Sequence, residues 1–238
     1  MPIHISPDKE TLSRRAAEAV AERARACVAE RGRCTIALAG GSTPRRLYEI
    51  LATELRDDVP WERLHLVWGD ERHVPHDDPK SNFRMAREAM LDRVPLLPDH
   101  IYPTPVAGAP DADAEAYARR IDALLAPDEG RLDLVLLGLG DDGHTASLFP
   151  GSPALGETER SVVAAPAPVA PHQRITLTFP VLNRARAVFF LVAGADKAPA
   201  LACVFGKPGG VAECPAGRVQ PDGGEVIWWL DEPAAAGL

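Results

Sequence analysis

The sequence predicts an α/β fold, in which helices cover both faces of a doubly wound, mostly parallel, Rossmann-like sheet. It also predicts a single domain over residues 1–238. Two observations lead to this fold class. Short apolar runs alternate with segments of helical spacing along most of the chain, as in successive strand-helix units. Several of these runs contain no polar residue, which is typical of parallel strands buried on both faces. The 46% hydrophobic content is ample for one large core.

Helical spacing and strong terminators define the elements in the first part of the chain. Apolar side chains recur every three or four positions over residues 8–31, and a glycine follows them. The apolar run 34–39 is a predicted strand, and a glycine-rich turn leads from it into a helix with Pro44 in its first turn. The run 64–68 is the next strand. A polar loop over residues 69–82 follows it, and then a helix to about residue 91.

The second part of the chain continues the alternation. Apolar spacing over residues 111–126 predicts a helix, and the unbroken run 134–137 predicts a buried strand that glycines end. The proline-rich segment 164–171 predicts a stiff, extended connection that can form the rim of a site. The remaining predicted strands are 161–164, 175–179, 187–192 and 225–230.

Charge and cysteine usage limit the partners and the location. A formal net charge of -8 argues against nucleic acid or an anionic membrane as the main partner, because both bind clustered basic residues. The N-terminal segment lacks a basic stretch followed by an apolar run, and no stretch approaches the ~18 apolar residues of a membrane span. We therefore expect a cytoplasmic protein. The four cysteines lack C-x-x-C or zinc spacing, which predicts reduced, packed thiols. No self-complementary stripe is evident, which favours a monomer.

The strand 134–137 runs into the glycine-rich loop that contains His144. Three glycines there satisfy G-x-G-x-x-G, but a dinucleotide site needs a long helix after the third glycine, and Pro150-Gly-Ser-Pro153 breaks the chain too early. Ligands of parallel sheets bind beyond the carboxyl ends of the strands, where this loop begins. An imidazole in that position is suited to general-base catalysis, and this interpretation is favoured over a loop histidine that only satisfies its own backbone. Asp141 and Asp142 are expected to shape the turn.

The loop Gly40, Gly41, Ser42 and Thr43 precedes a predicted helix. Free backbone amides, two hydroxyls and the positive end of the helix dipole suit a phosphate group. The loop is not a nucleotide-binding P-loop, since the lysine that would follow the second glycine is missing. A capped turn without a ligand is an equally good explanation of this segment on its own.

Several charged residues follow or open predicted strands. Asp70 and Arg72 come directly after a strand, where a sugar phosphate would need a hydroxyl acceptor and an anion clamp. Taken alone, an exposed ion pair explains them more simply. Arg174 and Lys197 can reach an anionic group at the same edge or can be surface charges. The histidines and aspartates over residues 73–78 are more typical of turns than of a metal site.

Four segments carry a resemblance to a known family. They are Leu38-Ala-Gly-Gly-Ser-Thr-Pro44, Trp68-Gly-Asp-Glu-Arg-His-Val-Pro75 with Ser81-Asn82, the stretch Gly138 to Gly151, and Arg174-Ile-Thr-Leu-Thr178. In this order they resemble the 6-phosphogluconolactonases, within the superfamily that includes the glucosamine-6-phosphate deaminases. The string G-x-G-x-D-G-H-T-A-S-L-F-P-G is the most specific of them.

The resemblance implies hydrolysis of a small-molecule sugar-phosphate lactone, 6-phospho-D-glucono-1,5-lactone, to 6-phosphogluconate, without a cofactor or metal. This is the second step of the oxidative pentose phosphate pathway. It implies His144 as the general base, with Asp70 close by to orient the ring or a substrate hydroxyl, and Arg72 near the sugar acid. The implied phosphate ligands are Gly41, Ser42, Thr43, Arg174 and Lys197.

Two alternatives differ in chemistry. The deaminase and isomerase branch uses the same phosphate loop, but its acidic segment typically reads Asp-Glu-Tyr, whereas this chain has Asp-Glu-Arg at residues 70–72. A non-catalytic sugar-phosphate sensor would keep Ser42 and the basic residues and would not need His144. For the lactonase no covalent nucleophile is required, because a lactone is an activated ester, and the chain lacks a G-x-S-x-G elbow. Ser42 and Ser147 are therefore not expected to act as nucleophiles.

Overall fold

A computed structural model describes residues 1–206 and 213–238 of the chain. Within these residues a central sheet of seven strands is parallel throughout. The predicted fold class is confirmed. From one edge to the other, the strands are β1 (Ile3–Ser6), β10 (Glu225–Asp231), β9 (Ala187–Val192), β6 (Leu134–Leu137), β2 (Cys34–Leu38), β3 (Leu64–Trp68) and β5 (Ile101–Tyr102).

Helices cover both faces of this sheet, as the continuous apolar strands require. The helices are α1 (Lys9–Arg31), α2 (Ser42–Thr53), α3 (Asn82–Ala89), α4 (Pro110–Leu125), α5 (Phe179–Leu182), α6 (Ala198–Val204) and α7 (Glu232–Ala235). Successive β6 residues alternate between two cores: Leu134 and Leu136 pack with α1, α2 and α3, whereas Val135 and Leu137 pack with α4 and α6. No helix in the described residues combines the length and apolarity needed to cross a lipid bilayer.

A second sheet departs from the prediction. Three antiparallel strands, β4 (Asp70–Arg72), β8 (Gln173–Leu177) and β7 (Val162–Pro166), form it beside the carboxyl end of the central sheet. The expectation that residues 69–82 are all loop is therefore wrong at its start. A three-residue polar strand has no periodicity of its own, and β4 exists because β8, a hundred residues later, supplies its hydrogen bonds.

Successive strands are added on opposite sides of β2. The chain passes from β2 to β3 on one side, and later returns to place β6 and β9 on the other side. Parallel α/β sheets bind ligands at such a switch point, beyond the carboxyl ends of the strands. The loops after β2, β3 and β6 all leave the sheet at this edge, so the topology gathers the three sequence motifs at one place.

His65 on β3 provides a pH-dependent test of the fold. Its ring packs against that of His100, tilted by 31° with the centroids 3.9 Å apart, and its Nδ1 lies 3.2 Å from the Tyr102 hydroxyl. Burial, and then the nearby His100, lowers the pKa of His65 to about 4. Between about pH 6.5 and pH 4 the unfolded chain therefore binds a proton at this position that the folded chain does not, so stability falls as pH falls through this window.

We expect the free energy of unfolding of a His65→Gln variant to fall less than that of the wild type between pH 7 and pH 5. Urea unfolding at both pH values measures the two differences. A variant with the full wild-type pH dependence would show that the loss arises from other groups.

Candidate active site

A cleft of about 420 Å³ lies at the switch point. The loops after β2, β3 and β6 line it, together with β8 and the tip of the β7–β8 connection, where Val169 stands at the rim. The nine residues predicted for the site all line this cleft; they are Gly40, Gly41, Ser42, Thr43, Asp70, Arg72, His144, Arg174 and Lys197. The fold thus brings together residues that lie more than 150 positions apart, and their individual roles remain predictions.

The segment after β2 presents the amino end of α2 to the cleft. Gly41, with φ of 103°, precedes the helix, and no side chain caps the first turn. The buried Tyr48 hydroxyl fixes the strand end, because it donates to the Ala39 carbonyl and accepts from the Ala39 amide, both at 2.9 Å. Lys9 Nζ donates to Ser42 Oγ at 2.8 Å. This leaves the Ser42 hydroxyl hydrogen free to donate, and the sequence did not single out Lys9.

Asp70 lies in a network of neutral donors. Its Oδ2 accepts from the Ser147 hydroxyl at 2.6 Å, and the Asn82 amide donates to its carbonyl at 2.9 Å and to Oδ1 at 3.3 Å. Asn82 also reaches the loop of residues 40–43, which is predicted to bind phosphate and is called the phosphate loop below: a Cβ at Gly40 would lie 2.1 Å from Asn82 Oδ1. The predicted alternative in which Asp70 orients the His144 ring has no such hydrogen bond among the described residues. The Ser147 hydroxyl donates to Asp70, and it contacts no histidine or lysine among the described residues.

The carboxylate beside His144 is Asp142. Asp142 Oδ1 lies 2.5 Å from His144 Nδ1 and accepts from the His144 amide at 3.0 Å. A carboxylate on Nδ1 selects the tautomer in which Nδ1 carries the proton and Nε2 is a free base. The Phe149 ring packs on the imidazole, with centroids 4.4 Å apart. From the sequence, only a role in shaping the turn is expected of Asp142. An acid two residues before a histidine, across a glycine, was the available signal.

Gly140 is required by the geometry of this pair. The loop closes on itself, since the Gly140 amide donates to the His144 carbonyl at 2.8 Å. A Cβ at Gly140 would lie 2.0 Å from His144 Nδ1 and 2.7 Å from Asp142 Oδ1, whereas a Cβ at Gly138 would meet nothing within 4 Å. Alanine at Gly140 and alanine at Gly138 can therefore serve as a test variant and its control on the same loop.

We expect Gly140→Ala to lower kcat about tenfold, because a small displacement of a catalytic base is costly. Gly138→Ala is expected to remain near the wild-type kcat. Steady-state kinetics and thermal unfolding of both variants measure this. Equal losses of kcat in the two variants would mean that the loop tolerates no methyl group at either glycine. The loss in Gly140→Ala could then not be attributed to contact with His144.

Two arginines face each other across β4 and β8. Arg72 and Arg174 are direct partners in the antiparallel register, and like charges in that position are destabilising unless an anion lies between or near them. Arg174 is 5% exposed, and burial, together with Arg72, lowers its pKa. Its Nε and that of Arg72 have no hydrogen-bond partner within the described residues. Arg72 donates from Nη1 to the Lys80 carbonyl at 2.7 Å.

Lys197 completes the basic lining of the cleft from the loop after β9. Its ammonium lies 2.9 Å from the Asp196 carboxylate, and its side chain is 23% exposed. An exposed neighbouring carboxylate holds such a lysine only weakly, so the ammonium can turn toward an anion in the cleft.

Possible metal ligands outside the cleft have protein partners. Cys27, Cys34 and Asp133 place one ligand atom each within 4.8 Å of one another. The Asp133 carboxylate is already used, because the Thr35 amide donates to it at 2.8 Å and Arg31 forms an ion pair with it at 2.9 Å. This buried carboxylate therefore ties α1 to the start of β2.

The histidines of the polar loop also bind protein groups. His73 Nε2 lies 2.9 Å from Asp113 Oδ2, and His76 Nε2 donates to the Thr104 carbonyl at 2.8 Å. These contacts tie the loop to α4 and to the segment before it.

Sequence and structure comparisons agree with one another. The 6-phosphogluconolactonase of Synechocystis sp. is 46% identical over 235 residues, which cover 97% of this chain and 95% of that protein. The 6-phosphogluconolactonase of Mycobacterium tuberculosis is 38% identical over 99% of this chain and 98% of its own length. The structure of 6-phosphogluconolactonase from Trypanosoma brucei superposes with a TM-score of 0.85 at 32% identity, and covers 100% of this chain and 98% of that chain.

The likeness to one solved deaminase structure shows the fold alone. A monomeric glucosamine-6-phosphate deaminase superposes with a TM-score of 0.81 but is 22% identical, over 100% of both chains. Residues 7–228 match the family described as glucosamine-6-phosphate isomerases/6-phosphogluconolactonase. By this match and by full-length relatives of 38% and 46% identity, the chain belongs to the glucosamine-6-phosphate isomerase/6-phosphogluconolactonase family.

Proposed function

We propose that this chain hydrolyses 6-phospho-D-glucono-1,5-lactone to 6-phospho-D-gluconate, the second step of the oxidative pentose phosphate pathway. The observation that carries the proposal is the His144 ring, which stands in the cleft with Asp142 on Nδ1 and thus offers Nε2 as a base. The full-length relatives named above as 6-phosphogluconolactonases support the choice of reaction. The cations and free amides around the cleft suit a phosphorylated substrate.

In the proposed mechanism a water molecule attacks the lactone carbonyl carbon and gives a proton to His144 Nε2. Asp142 stabilises the imidazolium that forms. The tetrahedral intermediate then collapses, the bond to the ring oxygen breaks, and the imidazolium returns its proton to that oxygen. Arg72 is available to stabilise negative charge on the sugar acid, and Asp70 to accept a hydrogen bond from a substrate hydroxyl.

The phosphate end of the substrate is proposed to bind at the amino end of α2. The free amides of the loop and the hydroxyls of Ser42 and Thr43 donate to it, and Arg174 and Lys197 neutralise its charge. Because these groups surround the cleft from different elements, the phosphate would be fixed at a definite distance from His144. Fixing the remote end of a substrate converts binding energy into correct placement of the reacting bond.

The remaining expectations belong to the same proposal. We propose that residues 1–238 act as one domain and as a monomer in the cytoplasm, and that the reaction requires neither metal nor cofactor. Sedimentation of the purified protein measures the oligomeric state, and activity after dialysis against a chelator measures any metal requirement.

Coupled assays test the function. Glucose-6-phosphate dehydrogenase generates 6-phosphogluconolactone in situ, and 6-phosphogluconate dehydrogenase reports the product. Acceleration over the spontaneous rate by the wild type supports the proposal. A wild type that matches the spontaneous rate would refute it. Release of ammonia from glucosamine 6-phosphate would then favour the deaminase reaction, and binding of sugar phosphates without turnover would favour a sensor.

A further inference from the structure

Glu71 is the member of the Asp-Glu-Arg segment that the proposed mechanism does not use. Asp70 and Arg72 line the cleft, whereas the Glu71 side chain points to the other side of β4 and is fully buried, with 0% exposure. A buried carboxylate is costly unless hydrogen bonds or an opposite charge satisfy it. Its surroundings therefore indicate why an acid is present between two cleft residues.

Four donors converge on this carboxylate. Oε1 accepts from the amides of Arg72 and Asn82, both at 2.7 Å, and Oε2 accepts from the Phe83 amide at 2.8 Å and from the Ser81 hydroxyl at 3.1 Å. Burial raises the pKa of Glu71, while the three backbone donors act in the opposite direction. Three of the four partners are backbone amides, which can only donate, so the ionised carboxylate satisfies this pocket best.

Three of these donors, those of Ser81, Asn82 and Phe83, belong to the amino end of α3, so Glu71 fastens that helix to β4. Ser81 also caps α3 by accepting from the Arg84 amide at 3.1 Å. The first residue of α3 is Asn82, whose side chain holds Asp70 and packs against Gly40 of the phosphate loop. A continuous chain of contacts therefore runs from the Glu71 carboxylate to the base of the phosphate loop and to Asp70.

We propose that Glu71 is a positioning residue, which acts through the amino end of α3 to hold Asp70, Arg72 and Asn82 at fixed distances from the phosphate loop. The inference rests on the proposed function, because these distances matter for a substrate that spans the phosphate loop and His144. A role in folding alone would predict a loss of stability without a change in turnover of the folded protein.

The test compares two buried carboxylates. Glu71→Gln keeps the volume of the side chain, removes its charge and sets an NH₂ group against backbone donors. Asp133→Asn is the matched control, because Asp133 is 1% exposed, accepts from the Thr35 amide and lies at the start of β2 and β6, at the opposite edge of the sheet from the cleft. We expect both variants to unfold at lower urea concentration. Only Glu71→Gln is expected to lose kcat, by about tenfold, under conditions where circular dichroism shows it folded.

A double variant tests the route of the effect. If Glu71 acts through Asn82, the combination of Glu71→Gln with Asn82→Ala is expected to lose no more kcat than the worse single variant, because contacting residues that act together are non-additive. Multiplied losses would overturn the proposal, and so would a normal kcat in folded Glu71→Gln. Should Glu71→Gln fail to fold, Ser81→Ala is the milder variant, because it leaves the three backbone donors to Glu71 in place and removes only the hydroxyl that donates to Glu71 and caps α3. It is then expected to lower kcat about threefold, and an unchanged kcat would overturn the proposal.

The wild type is measured beside the variants, so the two proposals fail separately. A wild type without lactonase activity would refute the proposed function. The positioning role is then decided by calorimetric binding of 6-phosphogluconate, for which we expect about tenfold weaker affinity in Glu71→Gln and unchanged affinity in Asp133→Asn. Equal affinities in wild type and Glu71→Gln would overturn it.

Discussion

The His144→Ala variant is expected to fold normally and to lose about 10²–10⁴-fold in kcat, the usual contribution of a general base. The side chain lies on a loop and is 28% exposed, so its removal leaves no large cavity in either core. The hydroxide that the imidazole would generate from the positioned water is then supplied only by solvent. Stopped assays in the coupled system measure the rate above the spontaneous hydrolysis.

Two controls separate loss of the base from loss of the loop. The thermal midpoint of His144→Ala is expected to lie near that of the wild type, because the side-chain contacts it removes within the described part of the chain are those with Asp142 and Phe149. Asp142→Asn keeps the imidazole but no longer stabilises its cation, and we expect a smaller loss of kcat. Near wild-type turnover in His144→Ala would refute the assignment of the base, and unfolding of the variant would show that the loop histidine is structural.

The Arg174→Ala variant is expected to lose about 100-fold in kcat/KM for the phosphorylated lactone, chiefly through KM. Hydrogen bonds to charged groups contribute about 1.5–3 kcal/mol each in such sites, and a guanidinium can make two with one phosphate. A loss confined to KM indicates binding energy that the ground state and the transition state share. The unphosphorylated gluconolactone is the control substrate, and its kcat/KM is expected to change little.

The free energy of unfolding provides a second test of the Arg174→Ala variant. Arg174 faces Arg72 across the strand pair, and its Nε is unpaired within the described residues. Removing a buried cation that lies against another cation is expected to leave the free energy of unfolding unchanged or higher, despite the loss of the aliphatic stem. Lys197→Ala is expected to raise KM less, because an ammonium is a single point charge, whereas the guanidinium of Arg174 can make two hydrogen bonds with one phosphate. Equal losses on the two lactones would refute the phosphate role of Arg174.

Local patterns predicted the five inner strands of the central sheet closely, and the two edge strands β1 and β5 were not predicted. The run Leu134–Leu137 and the run Ala187–Val192 are strands with the predicted bounds, and the helix predicted over residues 111–126 is Pro110–Leu125. Apolar runs and amphipathic stretches arise because particular faces of a strand or helix are buried. That requirement sets the residue types at neighbouring positions, where the sequence shows it directly. The end of α1 is also determined locally, because Gly32 adopts a φ of 78° there.

The edges of the fold were less predictable. The edge strand β1 has two exposed isoleucines, Ile3 at 40% and Ile5 at 49%, so its sequence lacks the continuous burial that marks a central strand. Its pairing with β10 joins the two ends of the chain. The strand β4 has only polar residues and depends on β8 in the same way. In both cases the partner, and not the local sequence, supplies the reason for the strand.

By itself, the sequence determined the alternation of strands and helices, the glycine-rich loops at the strand ends and the kinds of residue that the cleft contains. Only the tertiary structure decided which of these residues touch. It placed Asp70 beside Asn82 and Ser147, and set Arg174 opposite Arg72. The physical reason is that periodicity and turn chemistry are short-range, whereas hydrogen bonds and charge pairs depend on distances that the strand order and register fix across the whole chain.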